Sequence, residues 1–288
     1  MNVELDKREL LTEIKRFITD PGLINDCKKK SLLMILLYSS KAFLWICLAI
    51  LIFTINSNLL IFSVLMLLVS QRHLQTQVHD TAHYFISDNK KNNDFFGNYL
   101  FAGFIGMTIE NYRFIHQKHH KFNGSDEDPE YFSYKDVRNY GGFMSLCLKY
   151  FLGFEAFKLI KKYYFSNKSS STDSKKNRNL IHIIFAQLLL IIFFGICDAY
   201  FFYIIWLYLA ITISPLLSRL RFLVEHPGKN NVTRTTSSTF VEKLFFAPHN
   251  FNYHFEHHMW PMIPPYNLAR IHNHIKKNNF FKINKKYI

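Results

Sequence analysis

Cysteine is scarce in this 288-residue chain: four are present, Cys27, Cys47, Cys147 and Cys197, and no two stand in C-x-x-C spacing. That removes a cysteine-based metal or redox motif, and the thiols read as small apolar side chains of a reducing or membrane setting. A cleavable signal is missing too. The first 30 residues are polar and hold no apolar core segment, so the expectation is that no leader is removed. Acidic residues are the minority, 21 against 35 Lys and Arg, for a formal charge of +14. Nucleic acid is the usual partner of so basic a chain, but no groove-reading motif occurs and none is expected to bind. Lysines flanking membrane spans explain the charge more simply.

What the chain has in quantity is apolar surface. Apolar residues make up 49% and aromatics 17%, with 30 Phe, and they are gathered into runs. Such concentration argues for a membrane protein rather than a soluble core. The expected architecture is an all-α integral membrane protein, a single domain over residues 1–288 with four transmembrane helices at about 35–55, 58–76, 180–197 and 200–218. The first pair turns at Asn56-Ser57-Asn58 and the second near Gly195–Ala199, giving two hairpins whose outer turns carry no Lys or Arg. Lys28-Lys29-Lys30 precede the first span and Arg219 and Arg221 follow the fourth, so both termini are expected in the cytoplasm. Residues 77–179 and 219–288 then form a cytoplasmic cap.

Smaller features fill the intervals. Leu5, Leu10, Leu11, Ile14 and Phe17 predict a short amphipathic helix ending by Pro21-Gly22. The run Phe95–Met107, about 13 residues with three glycines, is too short to span and reads as re-entrant or interfacial. Residues 143–165 alternate apolar and aromatic residues with lysines and predict an interfacial helix; residues 166–179 read as a linker, and Asn123–Tyr131 as an acidic loop.

Histidine supplies the chemistry. His116, His119 and His120 read H-x-x-H-H, and so do His254, His257 and His258; His79 and His83 form the shorter H-x-x-x-H. Positions i, i+3 and i+4 share one helix face, so each word presents a cluster of neutral imidazoles of a kind that suits Zn, Cu, Fe or Ni. At this histidine content one H-x-x-H-H word is expected by chance roughly 0.03 times. Eight ligands exceed the about four to six positions of one first-row ion, so two ions are expected. At 1.5 Å per residue, His79 lies about 30 Å along its helix from Leu59, and His226 about 39 Å from Tyr200, both past the edge of the hydrocarbon. Asp80 and Glu225 sit beside candidate ligands, where carboxylates that orient imidazole N–H groups are expected.

These words resemble the membrane fatty acid desaturase superfamily, with its related hydroxylases and ketolases. The matching stretches are His79-Asp80-Thr81-Ala82-His83, Tyr112-Arg113 leading into His116–His120, and His249–Pro261 continuing through Pro264-Pro265-Tyr266-Asn267-Leu268 to Ile271-His272. The resemblance covers about residues 30 to 272. It implies iron in both positions, O2 as co-substrate and hydrogen abstraction from an unactivated C–H bond. It also implies His226 as a ninth ligand, with His249 the rival or a residue that orients a ligand. Arg113 and Asn250 match the family without a role the residues themselves suggest.

The activity expected is that of a fatty acyl desaturase on a lipid or acyl-carrier substrate. A hydroxylase or ketolase of an acyl, sphingoid or carotenoid-like lipid is the alternative at the same site. A metal transporter is a third, but its ligands would lie near mid-bilayer, whereas these histidines lie beyond the apolar runs. With no electron carrier fused to the chain, ferredoxin or cytochrome b5 with its reductase is the expected donor. The ending Lys285-Lys286-Tyr287-Ile288 fits an endoplasmic-reticulum retrieval signal, and a bacterial inner membrane is the alternative location. Asn167-Lys168-Ser169 and Asn231-Val232-Thr233 fit the glycosylation sequon, which this topology keeps inside.

Overall fold

Three helices of the computed structural model are long and apolar enough to cross a membrane: Leu32–Ile55, Ser57–Ala82 and Phe201–Glu225. A fourth apolar helix, Ile181–Ile196, is shorter, and at 1.5 Å per residue its 16 residues reach about 24 Å. The structure describes residues 7–131, 140–155, 158, 180–226 and 233–288. The linker 166–179, the two sequons apart from Thr233, Leu5 and most of the expected helix beyond 155 lie outside these residues.

Every regular element among the described residues is helical. In chain order they are α1 (Lys7–Lys15), α2 (Leu23–Cys27), α3 (Leu32–Ile55), α4 (Leu60–Ala82), α5 (Lys90–Leu100), α6 (Ile109–Phe122), α7 (Tyr140–Phe151) and α8 (Ile181–Ile196). They continue as α9 (Phe201–Ile211), α10 (Ile213–Glu225), α11 (Phe240–Phe245), α12 (His254–Met259), α13 (Pro265–Lys277) and α14 (Phe280–Ile283). Lys41 does not interrupt α3, because a lysine has no backbone conflict with a helix and its stem can lie along the apolar face. Asn56 makes the turn before α4, its side-chain oxygen accepting from the Asn58 amide at 3.0 Å.

The chain divides into two compact units. One comprises Met1–Leu37, Ile115–Asp136 and Arg219–Ile288; the other comprises Tyr38–Phe114 and Val137–Ser218.

The second unit is organised on a segment that leaves the α-helix partway along. Phe95–Met107 folds as the end of α5 followed by a 3-10 turn, Ala102–Ile105. Carbonyls released from a helix in an apolar setting need partners from within the protein. Here Gln187 Nε2 donates to the Gly103 carbonyl at 2.9 Å and Trp206 Nε1 to that of Phe104 at 2.9 Å, while His182 Nε2 lies 3.1 Å from the Met107 carbonyl. On α8 the buried residues His182, Ala186, Leu190 and Phe194 recur every fourth position, whereas Ile181, Ile184, Leu188 and Ile192 are exposed, as in a helix with one face toward lipid. A hydrogen-bonded polar seam joins α4 to α9 and α10: Gln71 Nε2 donates to the Trp206 carbonyl at 2.8 Å, and Arg72 Nη1 to Ser218 Oγ at 2.6 Å and to Gln75.

The first unit has its own apolar core. Leu10 and Ile14 of α1 and Leu23 and Cys27 of α2 pack with Phe255, Trp260, Leu268, Ile271, Phe280 and Tyr287. α1 stops at Lys15, earlier than its apolar pattern predicts, and the buried pair Leu10 and Ile14 sits one helical turn apart on its core face. Asn267 Nδ2 donates to the Cys27 carbonyl at 2.8 Å and Asn278 Nδ2 to that of Phe17 at 2.9 Å, so the chain's first helices are tied to α13.

Candidate metal centre

Within the first unit, α6 supplies His116, His119 and His120, and α12 supplies His254, His257 and His258; His226 follows the last residue of α10. Helical geometry divides the words. Successive residues on an α-helix point about 100° apart, while residues four apart share a face. His119 therefore leaves its neighbour His120 and meets His226, His254 and His258, with one ligand nitrogen from each of the four lying within 4.8 Å of the others. His116 and His120, one turn apart, gather with His257 within the same limit.

The nitrogens converge. Nε2 of His254 lies 2.9 Å from Nε2 of His226, and Nε2 of His120 lies 3.0 Å from that of His116 and 2.9 Å from that of His257. One ring proton on His120 Nε2 can serve only one of those two contacts. Two imidazole nitrogens that each bound a common ion at about 2.1 Å would stand about 3.0–3.4 Å apart, close to the spacing found. His258 is 1% exposed, and neither of its ring nitrogens has a hydrogen-bond partner among the described residues. A buried imidazole with two orphaned nitrogens is costly unless an ion takes a lone pair. The donor set fits a metal on this ground.

Burial is the main cause that holds His226, His254 and His258 well below the usual imidazole pKa, and the neighbouring imidazoles push the same way. Burial also lowers His116, against an opposing pull from Glu130. All four are thus neutral near pH 7, the form that offers a lone pair.

Carboxylates stand behind the rings. Asp128 presents Oδ2 at 2.9 Å and Oδ1 at 3.1 Å to His119 Nδ1. Glu225 Oε2 is 3.5 Å from His254 Nδ1 and 3.0 Å from Arg221 Nε. Glu130 Oε2 is 4.0 Å from His116 Nδ1. On the far side of α12 the fully buried Glu256 accepts from Thr235 Oγ1 and pairs with His272 Nδ1 at 2.7 Å, which fastens the short helix between its histidines.

In the second unit the centroids of the His79 and His83 rings lie 4.7 Å apart at the end of α4, and Asp80 Oδ1 is 3.3 Å from His79 Nδ1. His249 is buried in left-handed backbone, φ 58°, followed by Asn250 at φ 65°, and it belongs to neither histidine set among the described residues. His73 stacks on Trp45, and His274 Nε2 accepts from the Thr19 amide at 3.1 Å.

Sequence reasoning reaches Asp80 and Glu225 because each adjoins a histidine. It misses Asp128, Glu130 and Glu256, and reaches His272 only as the end of the C-terminal pattern. The one available signal for the first two is an acidic pair around Pro129 just after the second histidine word; for Glu256, it is its position inside the third word.

Comparison with curated proteins and with solved structures gives no match. A family model described as fatty acid desaturase matches residues 56–280, which takes in every histidine of the three words and His226.

Proposed function

The chain belongs to the fatty acid desaturase family, and from that premise we propose that it is a membrane-bound, O2-dependent desaturase acting on a fatty acyl lipid. Two iron ions would be held by His79, His83, His116, His119, His120, His226, His254, His257 and His258. The observation that carries this reading is the convergence of seven buried or half-buried imidazoles of the first unit into two sets, with Nε2 atoms 2.9–3.0 Å apart. His79 in the last turn of α4 and His83 at its C-cap are the remaining two proposed ligands.

Bound iron would supply activation of O2 and removal of hydrogen from an unactivated C–H bond. The chain's own residues prepare that site. Asp128 keeps the His119 proton on Nδ1, which leaves the Nε2 lone pair for an ion. Asp80, 3.3 Å from His79 Nδ1, serves that ring in the same way, and the Glu225 carboxylate stands 3.5 Å from His254 Nδ1. Burial excludes water from the imidazoles and keeps them unprotonated. The exposed apolar side chains of α3, α8 and α9 support a lipid setting. The topology we favour has four spans in two hairpins with both termini in the cytoplasm, of a bacterial inner membrane or the endoplasmic reticulum. Ferredoxin or cytochrome b5 with its reductase would deliver the electrons.

The test is expression in a host of simple lipid profile, followed by mass spectrometry of extracted lipids and iron analysis of the purified chain. Lipids that have lost two hydrogens, with iron bound, support the proposal. Lipids that have gained an oxygen atom would move the assignment to a hydroxylase or ketolase, and a chain that binds no iron would refute both.

A further inference from the structure

Arg113 precedes His116 by three residues and is 8% exposed. Its Nε donates to the Ala82 carbonyl at 3.0 Å and its Nη2 to the Thr81 carbonyl at 3.1 Å. Nη1 and Nη2 also grip Asp94, at 2.9 Å to Oδ2 and 2.5 Å to Oδ1. The guanidinium lies 4.1 Å over the ring of Tyr84, a residue held at φ 61°. Asn93 completes the arrangement. Its Nδ2 donates to the same Thr81 carbonyl at 2.9 Å and to Asp94 Oδ1 at 3.0 Å, and its Oδ1 accepts from the Ile86 amide at 3.3 Å.

Thr81 and Ala82 close α4, and the last four carbonyls of a helix have no partner inside it. A cation there also meets the negative end of the helix dipole. The turn so closed is the one that carries His79 and His83, with the His83 amide donating to the His79 carbonyl at 3.2 Å. Resting on the metal reading above, we infer that Arg113 is a positioning residue for this first histidine pair. It fixes the end of α4 through a planar fork that reaches two carbonyls and a carboxylate together, with Asp94 and Asn93 as its supports. An ammonium is a point charge on a flexible stem and does not span that set.

The test uses the full chain in detergent, with iron per chain measured beside Mössbauer spectra and elution volume, for wild type, Arg113→Lys, Arg113→Gln and Asp94→Asn. The expected result is a fall from two iron ions per chain toward about one in both Arg113 variants, since first-pair ligands no longer hold their rings in place. Asp94→Asn loses less, because both carbonyl contacts persist. If Arg113→Gln does not fold, Arg113→Lys and Asp94→Asn still decide. Two ions and an unchanged Mössbauer spectrum in Arg113→Lys would overturn the inference, as would equal loss of both ions in every variant, which marks a general folding role. A wild-type chain without iron would sink the metal reading itself and this inference with it.

Discussion

Asp128→Asn tests the centre at one atom. Asp128 is fully buried and uses both oxygens: Oδ1 accepts from the Glu130 amide at 2.8 Å, Oδ2 from the Gly124 amide at 3.3 Å, and both face His119 Nδ1. An asparagine of the same shape must turn its NH2 toward one of those backbone donors, whichever way the amide is flipped. A buried donor facing a donor costs about 1–3 kcal/mol. The ring of His119 also loses a charged acceptor. Loss of such an outer carboxylate weakens metal binding by about 10- to 100-fold, or about 1.4–2.7 kcal/mol. Because the amide sets a donor against a donor as well as losing the charge, the upper half of that range is expected. The assay is equilibrium iron retention against a graded chelator, with the purified chain in detergent. The curve for Asp128→Asn should move by about 30- to 100-fold in chelator, and that for Asp128→Ala by at least about tenfold. A shift below about twofold in both would refute the argument that this carboxylate holds the His119 ring for an ion.

Gly103→Ala should destabilise strongly. Its new Cβ would sit 2.5 Å from the His182 carbonyl and 3.0 Å from Ala186 Cβ, and overpacking of this kind costs about 1–3 kcal/mol or more. Gly106→Ala meets nothing within 4 Å and carries only the strain of φ +68°, about 1–2 kcal/mol. Thermal denaturation in detergent should rank the two in that order, and the reverse order would contradict the close packing of α8 on the 3-10 turn. His258→Ala and His119→Ala should each lose iron and activity, with full retention in either counting against the assignment. His73→Gln should keep its iron, since that ring stacks on Trp45 and is not one of the nine proposed ligands; a loss there would mean the centre is wrongly drawn.

The histidine words and the apolar runs were legible in the primary structure for one reason. Helical periodicity and hydrocarbon thickness are local rules that a few consecutive residues satisfy or violate. The same rules predicted that α4 runs on past the apolar stretch to carry His79, and that Phe95–Met107 does not cross. They could not say which histidines share a set. His119 and His120 are neighbours in sequence, yet the 100° between them sends one to His226, His254 and His258 and the other to His116 and His257. Nor could they single out Asp128, nine residues from the ring it holds, or the Glu256–His272 pair. Those contacts depend on how a loop closes and how α13 packs beneath α12. Arg113 was visible as a family match without a purpose; only the folded chain brings the end of α4 within reach of its guanidinium. Spacing along one helix is written in the sequence, whereas meetings between elements are settled by packing, because each depends on the placement of residues far away in the chain.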